Sequence, residues 1–240
     1  MFIDFSDKKI LLGLSGGINS MAVLCWLKLQ PVSFYPKELH LFYAHFDEHS
    51  SDTLAFVCSG IEYAKKYFNK VFIKITYNNL LDYFYKNRMI PHPRFSPCSR
   101  ELKIEPMTVY FEDNDLDLDL IGYVKEESKR YLAQKNNPSL SYKVHPIIHW
   151  LNEDCFNVVK QEIGWYPNIY DIKDDKGKRI FTHNNCLPCK NMSQKDLDNV
   201  KKYFPEYWLR AEQMAERIGK YWGRLPVLET INKCDYCLFD

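Results

Sequence analysis

One stretch near the start of the chain, residues 10–27, constrains the fold more than any other feature. It begins as an apolar run, passes through Ser15-Gly16-Gly17, and continues from about Ser20 with apolar residues at helical spacing. This pattern predicts a buried strand that turns through two glycines into a helix. The glycines let the backbone approach a ligand closely, and the free N–H groups of the first helical turn point at an anion. The stretch therefore predicts a phosphate-binding turn, with an ordinary strand–helix connection as the alternative.

Strand and helix patterns alternate through the first half of the chain, which is typical of a parallel sheet with helices on both faces. Right-handed crossovers place three strands side by side, and the connection 77–115 is predicted to carry the chain back across the first strand. Ligands of such sheets bind where the strand order reverses, so the turns 15–20 and 122–130 should face one cleft. The predicted strands are 8–14, 38–44, 71–76 and 116–121, and the predicted helices are 20–29, 53–68, 80–87 and 99–111.

After about residue 150 the strand patterns give way to helical and loop-rich sequence. Helices are predicted at 152–163, 193–203 and 205–222. We therefore expect two parts, an α/β domain over 1–150 and a helical, cysteine-containing extension over 151–240. The acidic run 112–119 is interpreted as a solvated loop and strand edge rather than a site.

The composition limits the classes of function and the compartment. The 240 residues carry 32 basic and 31 acidic side chains, which gives no global electrostatic argument for nucleic-acid binding but leaves a local basic cleft open. No segment approaches the roughly 18 apolar residues of a membrane span, and the start does not resemble a signal peptide. A cytoplasmic protein without membrane partners is expected. Its eight cysteines then suggest metal or redox chemistry rather than disulfides.

Two Cys-x-x-Cys pairs stand in the second half of the chain. Paired thiolates at this spacing match tetrahedral ligation of zinc or of an iron–sulfur cluster, and the spacing does not separate the two. A closed site of this kind would tie the end of the chain to the domain and add folding free energy. The predicted ligands are Cys186, Cys189, Cys234 and Cys237.

The turn Ser15-Gly-Gly-Ile-Asn-Ser20 resembles the SGGxxS signature of the PP-loop ATP pyrophosphatase superfamily. Five further matches resemble the phosphoadenosine-phosphosulfate (PAPS) reductase-like branch of that superfamily. They occur in the same order as in the branch and extend the resemblance over about residues 10–210. These matches are Ala44-His45-Phe46-Asp47 with Asp52-Thr53, Cys98 with Leu102-Lys103 and Pro106, Gly122 with Glu127-Ser128-x-Arg130, Pro146 with Trp150, and Cys186-x-x-Cys189.

The resemblance implies a doubly wound, mostly parallel sheet of the adenine nucleotide alpha hydrolase-like type. It also implies that the cleft binds ATP or an adenylyl sulfonucleotide, and that Lys103 and Arg130, with Arg100 as a further candidate, clamp its anionic oxygens. Most members have Asp where this chain has Asn19, which leaves open how Mg²⁺ is held. The implied nucleotide-binding residues are Ser15, Gly16, Gly17, Asn19, Ser20, Ala44 and Gly122.

Three hypotheses follow for the activity. In the first, the protein adenylylates an acceptor, releases pyrophosphate, and allows a sulfur or nitrogen donor to displace AMP. In the second, a thiolate, Cys234 or Cys237, reduces a sulfonucleotide. In the third, the chain is a non-catalytic nucleotide-binding subunit of a sulfur-transfer or nucleic-acid-modification system. The residues do not identify the acceptor, and nucleic acid is among the candidates. Whether the chain forms a homodimer also stays open.

The branch also offers a different metal site from the one that the two cysteine pairs predict. Some of its reductases hold a 4Fe–4S cluster with cysteines near the Leu-Lys motif and the Cys-x-x-Cys pair. In this chain Cys98 would be the ligand from the first segment. One further ligand would have to come from elsewhere.

Overall fold

The computed structural model describes residues 2–90 and 97–221, and its elements follow the alternation predicted for the first half. The strands are β1 (Lys9–Gly13), β2 (Glu38–Phe46), β3 (Val71–Asn78), β4 (Leu118–Leu120) and β5 (Lys143–Val144). The α-helices of seven or more residues are α1 (Ile18–Lys28), α2 (Thr53–Tyr67), α3 (Leu80–Lys86), α4 (Glu105–Asp113), α5 (Ser128–Lys135), α6 (Asn152–Glu162), α7 (Gln194–Tyr203) and α8 (Pro205–Arg217).

The five strands form one parallel sheet in the order β3-β2-β1-β4-β5. The predicted fold class is confirmed, and the chain crosses back between β3 and β4 as expected. The carboxyl ends of β1 and β4 are neighbours because Leu12 pairs with Leu120. β5 was not predicted, since two residues are too short for a periodic pattern.

Helices cover both faces of the sheet. On one face, α1, α2 and α6 share a large apolar core with the inward side chains of β1 and β2. On the other face, Leu11 and Phe42 pack with Met107 and Tyr110 of α4. Because both faces are covered, β1 is apolar at nearly every position, as is usual for a central parallel strand.

The helix predicted over 99–111 is interrupted, which corrects the sequence-based expectation. A π-helical turn, Arg100–Ile104, precedes α4, and the Glu105 N–H group donates to the carbonyl of Arg100 five residues earlier. Pro106 has no N–H group and cannot donate to the carbonyl of Leu102, which disfavours a regular α-helix here. Such turns change the direction in which side chains point, and they are frequent at functional sites.

The second half of the chain packs directly on the first half. α6 lies along α1, and Ile169, Tyr170 and Phe181 belong to the same apolar core as β1 and α1. Within the described residues no helix is both long and apolar enough to cross a membrane.

Candidate functional site

A cavity of about 340 Å³ opens beyond the carboxyl ends of β1 and β4, where the strand order reverses. Both predicted turns line it, the first through Ser15, Gly17 and Ser20, and the second through Gly122. The predicted cleft is therefore present, and the β1–α1 turn forms one of its walls.

The first turn has the conformation that its glycines predict. Gly16 has a φ of +76°, and a Cβ atom at this position would overlap the Thr53 side chain. Gly16 is not among the lining residues, so its role is to shape the backbone. The hydroxyl groups of Ser15 and Ser20 lie 3.1 Å apart, and the Ser20 hydroxyl also donates to the carbonyl of Gly17. The turn is thus closed by its own side chains.

Three backbone N–H groups of this turn have no hydrogen-bond partner among the described residues: those of Gly16, Asn19 and Ser20. They belong to the turn and to the first helical residues of α1, where free N–H groups and the helix dipole favour an anion. Gly122 approaches this helical turn closely. A Cβ at residue 122 would lie 2.8 Å from the carbonyl oxygen of Asn19 and 3.2 Å from the nitrogen of Ser20.

Two residues from the second half of the chain hold the turn from behind. The buried hydroxyl of Tyr170 accepts hydrogen bonds from the N–H groups of Ile18 (3.2 Å) and Asn184 (3.1 Å). The Asn184 side chain donates to the carbonyl of Gly16 at 2.9 Å and to the Thr53 hydroxyl at 2.8 Å. Burial raises the pKa of Tyr170 to about 12, so its hydroxyl is neutral at ordinary pH.

Asn19 faces a carboxylate on the second turn. Its side-chain nitrogen lies 3.3 Å from Oε2 of Glu127, while its side-chain oxygen is buried without a partner in the described part of the chain. Arg130 pairs with the other oxygen of Glu127 at 2.5 Å and lies over the Tyr123 ring. Asn19, Glu127 and Arg130 all line the cavity, so the second turn presents one carboxylate and one guanidinium to it.

Lys103 enters the cavity from the π-helical turn. Its ammonium group lies over the Phe46 ring at 4.8 Å and has no ion-pair partner among the residues that the structure describes. Arg100 does not share this position. It pairs with Glu105 at 2.7 Å, its side chain is 73% exposed, and it does not line the cavity, so the structure does not bring it together with Lys103 and Arg130.

The cavity extends down between the sheet and α4. Phe42, Ala44 and Met107 line this lower part, and Asp119 of β4 lies at its end. Asp119 is only 2% exposed, which overturns the interpretation of the acidic run as wholly solvated. Burial raises the pKa of its carboxyl to about 6, although Lys143, at 3.6 Å from Oδ2, acts in the opposite direction.

A buried histidine also lines the cavity. Nδ1 of His49 lies 3.1 Å from the hydroxyl of Tyr43, which is at the same distance from Nδ1 of His45. Burial lowers the pKa of His49 to about 3, and the charge of Lys103 adds to this effect. The imidazole of His49 is therefore neutral at ordinary pH.

Three cysteines lie beside Lys103, in a small pocket of about 30 Å³ lined by Cys98, Cys186 and Cys189. Burial raises the pKa of the Cys98 thiol, and that of Cys186 to about 12. Within residues 2–90 and 97–221, no group of three His, Cys, Asp or Glu side chains could hold a metal ion. The other predicted ligands, Cys234 and Cys237, lie outside the described residues.

Sequence reasoning missed Tyr170, Asn184, His49 and Asp119. The first two act over more than 130 residues of chain, and no local pattern signals such contacts. Asp119 had a usable signal, because an acid inside a strand with partners on both sides is buried by the helices that cover the sheet.

No family model matches the chain. An uncharacterized protein of Methanocaldococcus jannaschii is 23% identical over 220 residues, which cover 89% of this chain and 42% of that protein. The chain thus spans less than half the length of the curated relative it matches.

Several solved structures are similar to the chain. A U34-tRNA thiolase from Methanococcus maripaludis with its 4Fe–4S cluster is 15% identical, with a TM-score of 0.49 and coverage of 92% of this chain and 78% of that one. A PAPS reductase from Candida auris in a phosphate complex is 13% identical (TM-score 0.44; 68% and 77% covered). A 4-thiouridine synthetase in complex with RNA and bound ATP is 17% identical (TM-score 0.41; 86% and 53% covered).

These three proteins are members of the PP-loop ATP pyrophosphatase superfamily, whose SGGxxS signature the β1–α1 turn resembles.

Proposed function

We propose that this protein binds ATP in the cavity beyond β1 and β4 and uses it to adenylylate an acceptor. The observation that carries the proposal is the convergence of three kinds of anion donor on one cavity. These are the N–H groups of the β1–α1 turn and the ammonium of Lys103, which have no partner among residues 2–90 and 97–221, and the guanidinium of Arg130. A polyphosphate chain matches such a donor set, because its oxygens carry charge along its whole length.

The pyrophosphate portion would lie on the turn between Ser15 and Ser20, where the free N–H groups and the hydroxyl of Ser15 would donate to its oxygens. Lys103 lies across the cavity and would neutralise charge at the α-phosphate. An acceptor oxygen would attack the α-phosphorus, the bond to the bridging oxygen would break, and pyrophosphate would leave with the electron pair. A sulfur or nitrogen nucleophile could then displace AMP from the acceptor. The protein's contribution is to position the reactants and to stabilise charge.

Mg²⁺ fits the residues on one side of this cavity. The side-chain oxygen of Asn19 is buried and has no partner in the described chain, and the side-chain nitrogen of the same amide lies 3.3 Å from the carboxylate of Glu127. Oxygen ligands of this kind are those that Mg²⁺ prefers, usually together with phosphate oxygens. We propose Asn19 and Glu127 as its protein ligands. Glu127 would thus supply the carboxylate that the turn itself lacks.

The cysteines make sulfur chemistry the preferred second half of the reaction. Cys98, Cys186 and Cys189 lie next to Lys103, so a thiol-bound group would be close to the activated acceptor. The four-cysteine site with Cys234 and Cys237 stays a proposal, as does the alternative set that includes Cys98. Iron and zinc analysis of anaerobically purified protein, with its absorption spectrum, distinguishes a cluster from zinc.

The sulfonucleotide reductase stays the alternative, and it would need Cys234 or Cys237 as a free thiolate. Equilibrium binding of ATP and of PAPS to the full chain separates the two functions. Adenylylation predicts ATP binding that depends on Mg²⁺, and pyrophosphate release when RNA or small-metabolite fractions supply the acceptor. Binding of PAPS without binding of ATP would overturn the proposal in favour of the reductase. ATP binding without turnover in any fraction would favour the non-catalytic subunit.

A further inference from the structure

A second cavity, of about 380 Å³, lies beside the one that is proposed to bind ATP. It is a groove between α5 and β5, the last strand at one edge of the sheet. The N–H group of Ile121, which lines the first cavity, donates to the carbonyl of Val144, which lines the groove. The first cavity and the α5–β5 groove therefore open side by side, at the carboxyl ends of two neighbouring strands.

Two stacked rings separate the α5–β5 groove from the first cavity. Tyr123 lines the cavity and His145 lines the groove, with their ring centroids 5.3 Å apart and an angle of 21° between the ring planes. The side chain of Gln134 fixes both rings. Its nitrogen donates to the Tyr123 hydroxyl at 3.1 Å, and its oxygen lies 2.9 Å from Nε2 of His145. Ligands in the groove and in the cavity would thus be neighbours across one pair of rings.

The α5–β5 groove presents cations and aromatic rings, and no acidic residue lines it. Lys135 is exposed and has no ion-pair partner in the described part of the chain, and its ammonium lies over the Tyr131 ring at 5.6 Å. Lys143 also lines the groove, although the carboxylate of Asp119 at 3.6 Å balances part of its charge. Cations beside aromatic rings are the combination that binds the phosphates and bases of single-stranded nucleic acid.

We propose that the α5–β5 groove binds a single strand of nucleic acid that carries the acceptor for adenylylation. The inference deepens the proposed function and rests on it. An acceptor has to meet ATP in the first cavity, so its binding surface has to adjoin that cavity, as this groove does. A nucleotide held in the groove would place the next one of the same strand at the cavity. A single strand is favoured over a duplex, because paired and stacked bases are not free to contact a ring such as that of Tyr131.

Fluorescence anisotropy on the full chain tests the inference, with labelled RNA and DNA single strands of one sequence and about 12 nucleotides. Lys135→Gln should weaken binding about fivefold at about 0.1 M salt and lower the slope of log affinity against log salt by about 0.7, the effect of one lost phosphate contact. Tyr131→Leu should weaken binding at least about fivefold, whereas Tyr131→Phe keeps the ring and should not. Tighter binding of the RNA strand would indicate that the groove contacts the 2′-hydroxyl group.

Lys66→Gln is the matched control for charge. The Lys66 ammonium also lies over a tyrosine ring, that of Tyr67 at 5.1 Å, and Lys66 is exposed on α2 and lines neither cavity. Tyr85→Leu is the control for the loss of a ring, because Tyr85 is exposed on α3 and also lines neither cavity. Both controls should bind the strands as the wild type does, and thermal unfolding shows whether each variant is folded.

Folded Lys135→Gln and Tyr131→Leu proteins with wild-type affinity and salt slope would overturn the inference. Binding of UMP as tight as that of the strands would replace nucleic acid by a small nucleotide, and equally tight binding of polyglutamate would show a general affinity for polyanions; either result contradicts the inference. ATP binding to the same preparations separates the two claims. ATP binding without strand binding contradicts the inference alone, whereas strand binding without ATP binding contradicts the proposed function and leaves the groove as a nucleic-acid site.

Discussion

The side-chain amide of Asn19 in the first turn donates a hydrogen bond to the carboxylate of Glu127 in the second turn, with 3.3 Å between the two atoms. The amide therefore suits its position, since a carboxylate at residue 19 would face another carboxylate. The first turn has an amide at residue 19 in place of the usual carboxylate, and the second turn places the carboxylate of Glu127 beside that amide.

Asn19→Asp should thus destabilise the protein when no metal is present. Two carboxylates at hydrogen-bond distance repel each other, and we expect a loss of about 1 kcal/mol of unfolding free energy without Mg²⁺. Mg²⁺ should restore the unfolding free energy, because its positive charge favours two nearby carboxylates. Thermal unfolding over a series of Mg²⁺ concentrations measures the effect, with Asn157→Asp on the exposed side of α6 as the control. The same Mg²⁺ response in both variants would contradict the expectation.

Tyr170→Phe removes the hydroxyl that accepts hydrogen bonds from the N–H groups of Ile18 and Asn184. Both donors would stay buried without a partner, which typically costs about 1–3 kcal/mol for each unsatisfied group. Denaturant unfolding should show a loss in this range or above it. Tyr77→Phe is the control, because the Tyr77 side chain is 71% exposed and its loss of a hydroxyl should be neutral. Equal stability of the two variants would show that Tyr170 does not support the turn.

Gly122→Ala should weaken both stability and nucleotide binding. The new Cβ would lie 2.8 Å from the backbone oxygen of Asn19, so the first turn of α1 would have to move. Gly60→Ala offers a contrast, since its Cβ would overlap the flexible end of the Met21 side chain and make an ordinary contact with Leu24, without touching backbone. We expect Gly60→Ala to retain ATP binding and Gly122→Ala to lose at least about tenfold, roughly 1.4 kcal/mol. Calorimetric titration with ATP checks this difference.

Lys103→Met should reduce ATP affinity or pyrophosphate release by about tenfold or more, because it removes an ammonium that has no ion-pair partner in the described part of the chain and would pair with phosphate. The methionine keeps most of the apolar contact with the Phe46 ring. Lys129→Met, an exposed lysine beside Arg130 that does not line the cavity, should leave both quantities unchanged. A similar loss in both variants would indicate a general effect of charge.

His49 should make the protein less stable in acid. Its pKa is about 3 in the folded protein and 6.5 in the unfolded chain, so the unfolded chain binds more protons between these values. Stability therefore falls as the pH drops below about 6.5, by up to about 1.4 kcal/mol per pH unit from this group. His49→Gln should flatten the decline between pH 7 and pH 4.5, whereas His149→Gln, at an exposed position, should not. Unfolding free energies at the two pH values provide the measurement.

The strand order and the position of the cleft could be predicted because both follow from local patterns and from the handedness of crossovers. The π-helical turn around Lys103 was missed, although Pro106 was visible in the sequence. Asp119 was misread because its acidic neighbours lie in a loop, while Asp119 itself is in a strand between two others. For the turn around Lys103 and for Asp119, local sequence patterns do not show the residues, distant in sequence, that pack against them.

The N–H group of Ile18 and the hydroxyl that accepts its hydrogen bond are 152 residues apart in the chain. The ribosome therefore completes the phosphate turn long before it makes the residue that holds the turn in place. A growing chain that ends before Tyr170 contains the whole phosphate-binding turn but lacks the hydroxyl that accepts the hydrogen bond from Ile18. We expect such a fragment to bind nucleotide poorly, so that the capacity to take up ATP arises only after Tyr170 and Asn184 have been added to the chain.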